Sequence, residues 1–91
     1  MKIGLSVGEQ GEAILFMDRK ARDVIVERLM ALELPEGNSS NEHFHLISEA
    51  WGGNDLSELN EETLKTLKHS QGHHLKFLFR PERSEVWKDE E

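Results

Sequence analysis

The chain of 91 residues contains no cysteine and no tyrosine, and only two prolines. Without cysteine there is no disulfide framework, no thiolate zinc site and no thiol nucleophile, which fits a reducing cytosol. Long hydrophobic runs are missing too. No stretch approaches the roughly 20 consecutive apolar residues that a membrane span requires. The start, Met1-Lys2-Ile3-Gly4-Leu5, carries one charge and no extended apolar run before Glu9, so it does not read as a signal peptide. These absences point to a soluble, cytoplasmic protein with no membrane partner.

Catalytic signatures are equally scarce. There is no Gly-x-Gly-x-x-Gly and no Walker-type loop. Ser39, Ser40, Ser48, Ser57, Ser70 and Ser84 lie outside any nucleophile-elbow or Ser-x-x-Lys pattern. Pairs such as Glu61-Glu62 and Glu90-Glu91 have no apolar surroundings to raise a carboxyl pKa for acid catalysis. The expectation is a non-enzymatic protein with no catalytic residues and no cofactor.

Positive charge is missing from one whole block. Between Leu29 and Leu64 there is no Lys or Arg, against Glu33, Glu36, Glu42, Glu49, Asp55, Glu58, Glu61 and Glu62, which is −8. The net charge is −7, so the remainder carries +1 and the whole imbalance is central. Nucleic acid is a poor partner for such a surface, because phosphate binding rests on clustered Lys and Arg. A basic protein surface is the complementary one, and a concentrated negative field steers its encounter.

Two periodicities organise the rest. Ile3, Leu5 and Val7 alternate with polar or small residues as in a half-buried strand, and Ala13-Ile14-Leu15-Phe16-Met17 reads as a second strand. The Gly8-Glu9-Gln10-Gly11 turn joins them into an antiparallel hairpin. Asp18 suits a helix cap, and Ala21, Val24, Ile25, Leu29 and Leu32 fall on one helical face. Pro35 and Gly37-Asn38-Ser39-Ser40 end that helix near Leu34. Arg19, Lys20 and Arg22 resist the pattern, since they crowd the positive end of the helix dipole. His43–Ser48 and His73–Arg80 read as further strands, and leucines at 56, 59, 64 and 67 fit a short helix with Asn60 as its cap.

The predicted fold is α+β, with a four-stranded, mainly antiparallel sheet. Its strands run over about 2–7, 12–17, 43–48 and 73–80, with a main helix over about 19–33 on one face and a short helix over about 60–69. Residues 1–80 form a single domain, and 81–91 a charged C-terminal tail held locally by Val86 and Trp87.

The most specific local pattern is Glu42-His43-Phe44-His45-Leu46-Ile47-Ser48-Glu49-Ala50-Trp51-Gly52-Gly53-Asn54-Asp55. A tryptophan beside two glycines, after a strand and among acids, either closes one end of the core or anchors an interface. The candidate partner-binding residues are Glu42, Glu49, Trp51, Asp55 and Glu58, extended by Glu61 and Glu62. The alternative is a zinc-binding, hydrolytic module. His43 and His45 share a strand face, and His74 joins them if the third and fourth strands are neighbours. A third reading is a scaffold domain that pairs through an open sheet edge, so the expected state is a monomer or a weak homodimer.

His43-Phe44-His45-Leu46, Ala50-Trp51-Gly52-Gly53, Asp55-Leu56 and His73-His74-Leu75-Lys76-Phe77 together resemble the immunity protein 32 family of bacterial polymorphic-toxin systems. The resemblance covers about Glu42 to Phe79, with a looser match of the N-terminal strands and helix. It implies an α+β protein without catalytic residues that binds and blocks a cognate toxin in the cytoplasm of the producing cell. The segment from Leu59 to Gly72 has no counterpart in that pattern.

Overall fold

The computed structural model describes residues 1–33, 42–80 and 86–88. The first hairpin forms as its alternation dictates: β1 (Ile3–Gly8) pairs antiparallel with β2 (Ala13–Met17), Leu5 opposite Leu15. The Gly8 N–H donates to the Glu12 carbonyl at 2.8 Å to close the turn, and Gly11 takes φ +92°. Asp18 then starts α1 (Arg19–Met30), its carboxylate accepting from the Ala21 N–H at 2.8 Å. The other carboxylate oxygen accepts from the Lys2 N–H at 2.9 Å, so one residue caps the helix and ties it to the strand entrance.

The helix ends at Met30, short of the expected 33. The Ala31 N–H is shared between the carbonyls of Glu27 and Arg28, and Leu32 bonds back to Leu29, so the last turn tightens and closes. Ala21 and Ile25 are buried, whereas Leu29 and Met30 are exposed, so nothing apolar rewards another turn. The loop expected at Gly37-Asn38-Ser39-Ser40 lies outside the described residues.

The expected single four-stranded sheet is corrected to five strands in two sheets among the described residues. One sheet has the order β2-β1-β4, with β4 spanning His69–Gln71; the other pairs β3 (His43–Ile47) with β5 (His74–Leu78). The cause is a change of partner within one extended segment. From His69 to Gln71 it bonds β1, and the Gly72 N–H donates to the Leu5 carbonyl. One residue later the His73 carbonyl accepts from the Ser48 N–H, and β5 continues along β3. Gly72 permits the transfer: a Cβ there would lie 2.5 Å from Leu5 Cγ, too close for any side chain. A second seam joins the sheets where Ser57 donates to the Ile3 carbonyl while Leu56 donates to Ile47.

The short helix is real and shorter than the expected 60–69. It is α2 (Glu61–Leu67), capped by the Asn60 side chain, which accepts from the Thr63 N–H at 2.8 Å. Glu61 and Glu62 sit in its first turn, where the helix dipole favours negative charge. Lys68 ends it at φ 59°, ψ 40°, the only non-glycine residue at positive φ among those described. That reversal turns the chain directly into β4.

The two sheets and α1 enclose one core of Ile3, Leu5, Ala21, Ile25, Leu46 and Leu56, with Leu15, Phe44, Leu75 and Phe77 packed against it. Phe44 and Phe77 stack across β3 and β5 at 4.5 Å, and the Arg28 guanidinium lies 5.8 Å over the Phe44 ring. On the opposite side of the first sheet, Leu59 fills the space above Gly4. Trp87 donates from Nε1 to the Arg80 carbonyl at 3.3 Å, and both Val86 and Trp87 are exposed. No helix among the described residues is long and apolar enough to cross a membrane.

Candidate partner-docking site

The Trp-Gly-Gly pattern folds into a loop closed by its own backbone. Residues Glu49–Trp51 form a short 3-10 turn after β3, and Gly52 caps it at φ +90°. The Trp51 and Gly53 N–H groups both donate to the Ser48 carbonyl, and those of Asp55 and Leu56 donate to Ile47. The two glycines are needed for different reasons. Gly52 supplies the left-handed conformation, whereas a Cβ on Gly53 would lie 2.5 Å from the Ile47 carbonyl oxygen.

Trp51 stands on this loop with 63% of its surface exposed. Its indole stacks on the His73 ring at 5.2 Å with only 8° between the planes. His73 Nδ1 is 2.8 Å from the Ser48 hydroxyl, and Ser48 is buried. Behind the exposed indole stands a ring whose orientation a buried hydroxyl fixes. The sequence pattern drew attention to His74 and passed over His73 and Ser48. The His73-His74 doublet held the signal, because neighbouring residues of an extended chain face opposite ways.

The predicted docking residues are not all gathered here. Glu49 opens the same 3-10 turn as Trp51 and is exposed. Asp55 accepts from the Ile47 N–H at 3.1 Å, so its carboxylate helps to close the loop. Glu58 is exposed and follows Ser57, whose N–H bonds the carbonyl of Ile3. Glu42 stands at the far end of β3, roughly 20 Å along the strand from Ser48 at 3.3 Å per residue. Its Oε1 lies 2.8 Å from His43 Nδ1, and its Oε2 is buried without a hydrogen-bond partner among the described residues. Its own backbone N–H, then the His43 ring, hold the Glu42 carboxyl below the usual carboxylate range.

The three histidines do share one face of the β3–β5 ribbon. His43 and His45 meet edge to face at 5.1 Å, and His45 stacks with His74 at 4.9 Å. His45 Nδ1 and His74 Nε2 are 2.6 Å apart, a hydrogen bond between imidazoles. Two nitrogens on one tetrahedral zinc, each about 2.0–2.1 Å from the metal, stand roughly 3.3 Å apart. The pair as placed is bonded to itself, and no group of three or more His, Asp or Glu among the described residues is arranged to hold a metal ion. Desolvation pushes His45 below its ordinary pKa, helped by His74, His43 and Lys76.

A second hydroxyl–imidazole pair lies across the first sheet. Ser6 Oγ is 2.8 Å from His69 Nδ1, and His69 Nε2 is 3.2 Å from Glu12 Oε1. The order of groups is that of a hydrolytic triad, but Ser6 has no exposed surface. A nucleophile must reach its substrate, so this row works as a polar staple between β1, β4 and the hairpin turn.

No family model, curated protein or solved structure matches the chain.

Proposed function

We propose that the chain is a small, non-enzymatic binding module that docks a basic protein through the Ser48–Leu56 loop, with Trp51 as its anchor. The carrying observation is the exposure of Trp51 on a loop that its own hydrogen bonds hold closed. An aromatic anchor presented in one orientation loses little conformational freedom when a partner covers it, so most of its apolar contact becomes affinity. Glu49 beside it, within the central block of −8, supplies the negative field that selects a basic surface. In the setting implied by the resemblance to immunity protein 32, that partner is the cognate toxin, and binding occludes its functional surface.

The test is a pull-down and titration with the product of the adjacent upstream gene. Trp51→Ala is expected to weaken binding by a factor of roughly 30 or more, the level of a hot-spot residue. Glu49→Lys is expected to slow association and flatten its salt dependence. Unchanged affinity in Trp51→Ala, with the fold intact, would sink the proposal. The zinc module built on His43, His45 and His74 is the alternative. It predicts stoichiometric metal in untagged protein, lost in His45→Ala.

A further inference from the structure

One sheet edge is left without protection. In the β1–β2 ladder the Asp18 N–H donates to Lys2 and the Gly8 N–H to Glu12, so Phe16 and Ile14 are the bonded positions between them. Ala13, Leu15 and Met17 therefore point their N–H and C=O groups away from β1, and none of them has a backbone partner among the described residues. Free edges elsewhere are blunted. β5 carries Lys76 and His74, β4 is three residues long, and the outward positions of β3 are His43, His45 and Ile47, two imidazoles and a backbone already bonded to Asp55 and Leu56. β2 is five residues of Ala-Ile-Leu-Phe-Met with no charge and no proline, which are the devices that ordinarily keep an edge from pairing.

We infer that β2 pairs antiparallel with β2 of a second copy of this chain, about a two-fold axis through Leu15. That register sets Leu15 opposite Leu15 and Ala13 opposite Met17 of the second copy. All three outward-pointing residues then bond, giving roughly six new backbone hydrogen bonds. It also sets Ile14 against Phe16 of the second copy. Those two line the apolar groove of about 440 Å³ between β2 and α2, together with Thr63, Thr66 and Leu67, so pairing extends the lining from one copy to the next. Met17 is 40% exposed, and Ala13 is exposed as well.

Charge favours the same arrangement. The register brings the hairpin turn of one copy, with Glu9 and Glu12, beside the start of α1 of the other. That start holds Arg19 and Lys20, which have no ion pair among the described residues, whereas Arg22 pairs with Asp23 at 2.9 Å. Basic residues that are misplaced on the isolated helix dipole gain an acidic neighbour in the pair. Asp18 of the second copy also falls opposite Glu12, a like-charge contact that opposes the pairing and is offset by Arg19 and Lys20 beside it.

Light scattering and sedimentation across a concentration series read the mass directly. The expected result is a rise from 10.5 kDa towards about twice that, with backbone amides of Leu15 and Met17 increasingly protected from hydrogen exchange. Ala13→Pro removes an outward donor at the first residue of the strand, where proline is tolerated, and is expected to weaken association at least tenfold. Arg19→Glu with Lys20→Glu is expected to weaken it and reduce its response to salt. A mass of 10.5 kDa at every concentration overturns the inference. So does a dimer whose Leu15 and Met17 amides exchange freely, or protection that arises only when a toxin partner is added. Should Ala13→Pro fail to fold, amide exchange in the unaltered chain decides the question.

Discussion

Single positions in this chain answer for whole turns. Gly53 sits where a Cβ would meet Ile47 backbone and side-chain atoms at 2.5–2.8 Å, so Gly53→Ala must push the Trp51 loop off the end of β3. A loss of about 1–3 kcal/mol is expected in urea unfolding, with weaker partner binding even though Trp51 is untouched. Lys68 offers the opposite case. It holds a left-handed conformation at the end of α2, where glycine carries no Cβ penalty, so Lys68→Gly is expected to raise stability by about 0.5–1 kcal/mol. His45 makes stability depend on pH. Its folded pKa is depressed below the 6.5 of an exposed histidine, so the unfolded chain binds its proton more readily. Stability should hold above pH 6.5 and fall as pH drops below it. His45→Gln should flatten that slope in melting experiments over the same range.

At the scale of elements, caps and edges decide boundaries. Asp18 bonds both the first turn of α1 and Lys2, and those N–H groups hold its carboxyl below the usual range, the Ala21 N–H most of all. Asp18→Ala is expected to lower the melting temperature at neutral pH. Because the folded carboxyl is the stronger acid, this contribution is present above its unfolded pKa and fades as pH falls through the folded value. Acid titration of the variant against the parent chain measures it. Both helix starts were legible in the sequence, since Asp18 and Asn60 are the residue types whose side chains satisfy a first-turn N–H. Helix ends were not. Apolar spacing continues through Leu32, but α1 stops where Met30 has nothing to cover. β4 escaped notice because His69-Ser70-Gln71 has neither alternation nor apolar character, and its strand conformation exists only through its bonds to β1.

For the whole molecule, the core is small and shared by every layer. Leu46 has no exposed surface and joins the β3–β5 ribbon to α1 and to the first sheet, so Leu46→Ala is expected to lose 2–5 kcal/mol. In a domain whose total stability is of order 5–14 kcal/mol, such a loss should unfold a measurable fraction of the population on mild heating. By contrast Trp51→Ala should leave the melting temperature almost unchanged, because its indole is mostly outside. A fall as large as that of Leu46→Ala would mean that Trp51 serves the fold rather than a partner. The candidate site was legible in part for the same reason. Trp-Gly-Gly marks a turn whatever surrounds it, and Glu49 lies beside Trp51 in the chain. The stacking of Trp51 on His73, and the distance of Glu42 from both, depend on how β3 and β5 pair.

The order of residues determined the α+β class, the first hairpin, the starts of both helices and the concentration of negative charge, since each depends on neighbours a few positions apart. Tertiary structure alone decided that the segment from His69 to Leu78 leaves one sheet and enters another at Gly72. It also decided that His45 bonds His74 while His43 bonds Glu42, and that no described residue pairs with the outer edge of β2. Those outcomes depend on which backbone groups separated by tens of residues come within bonding distance, and local pattern carries no record of that distance.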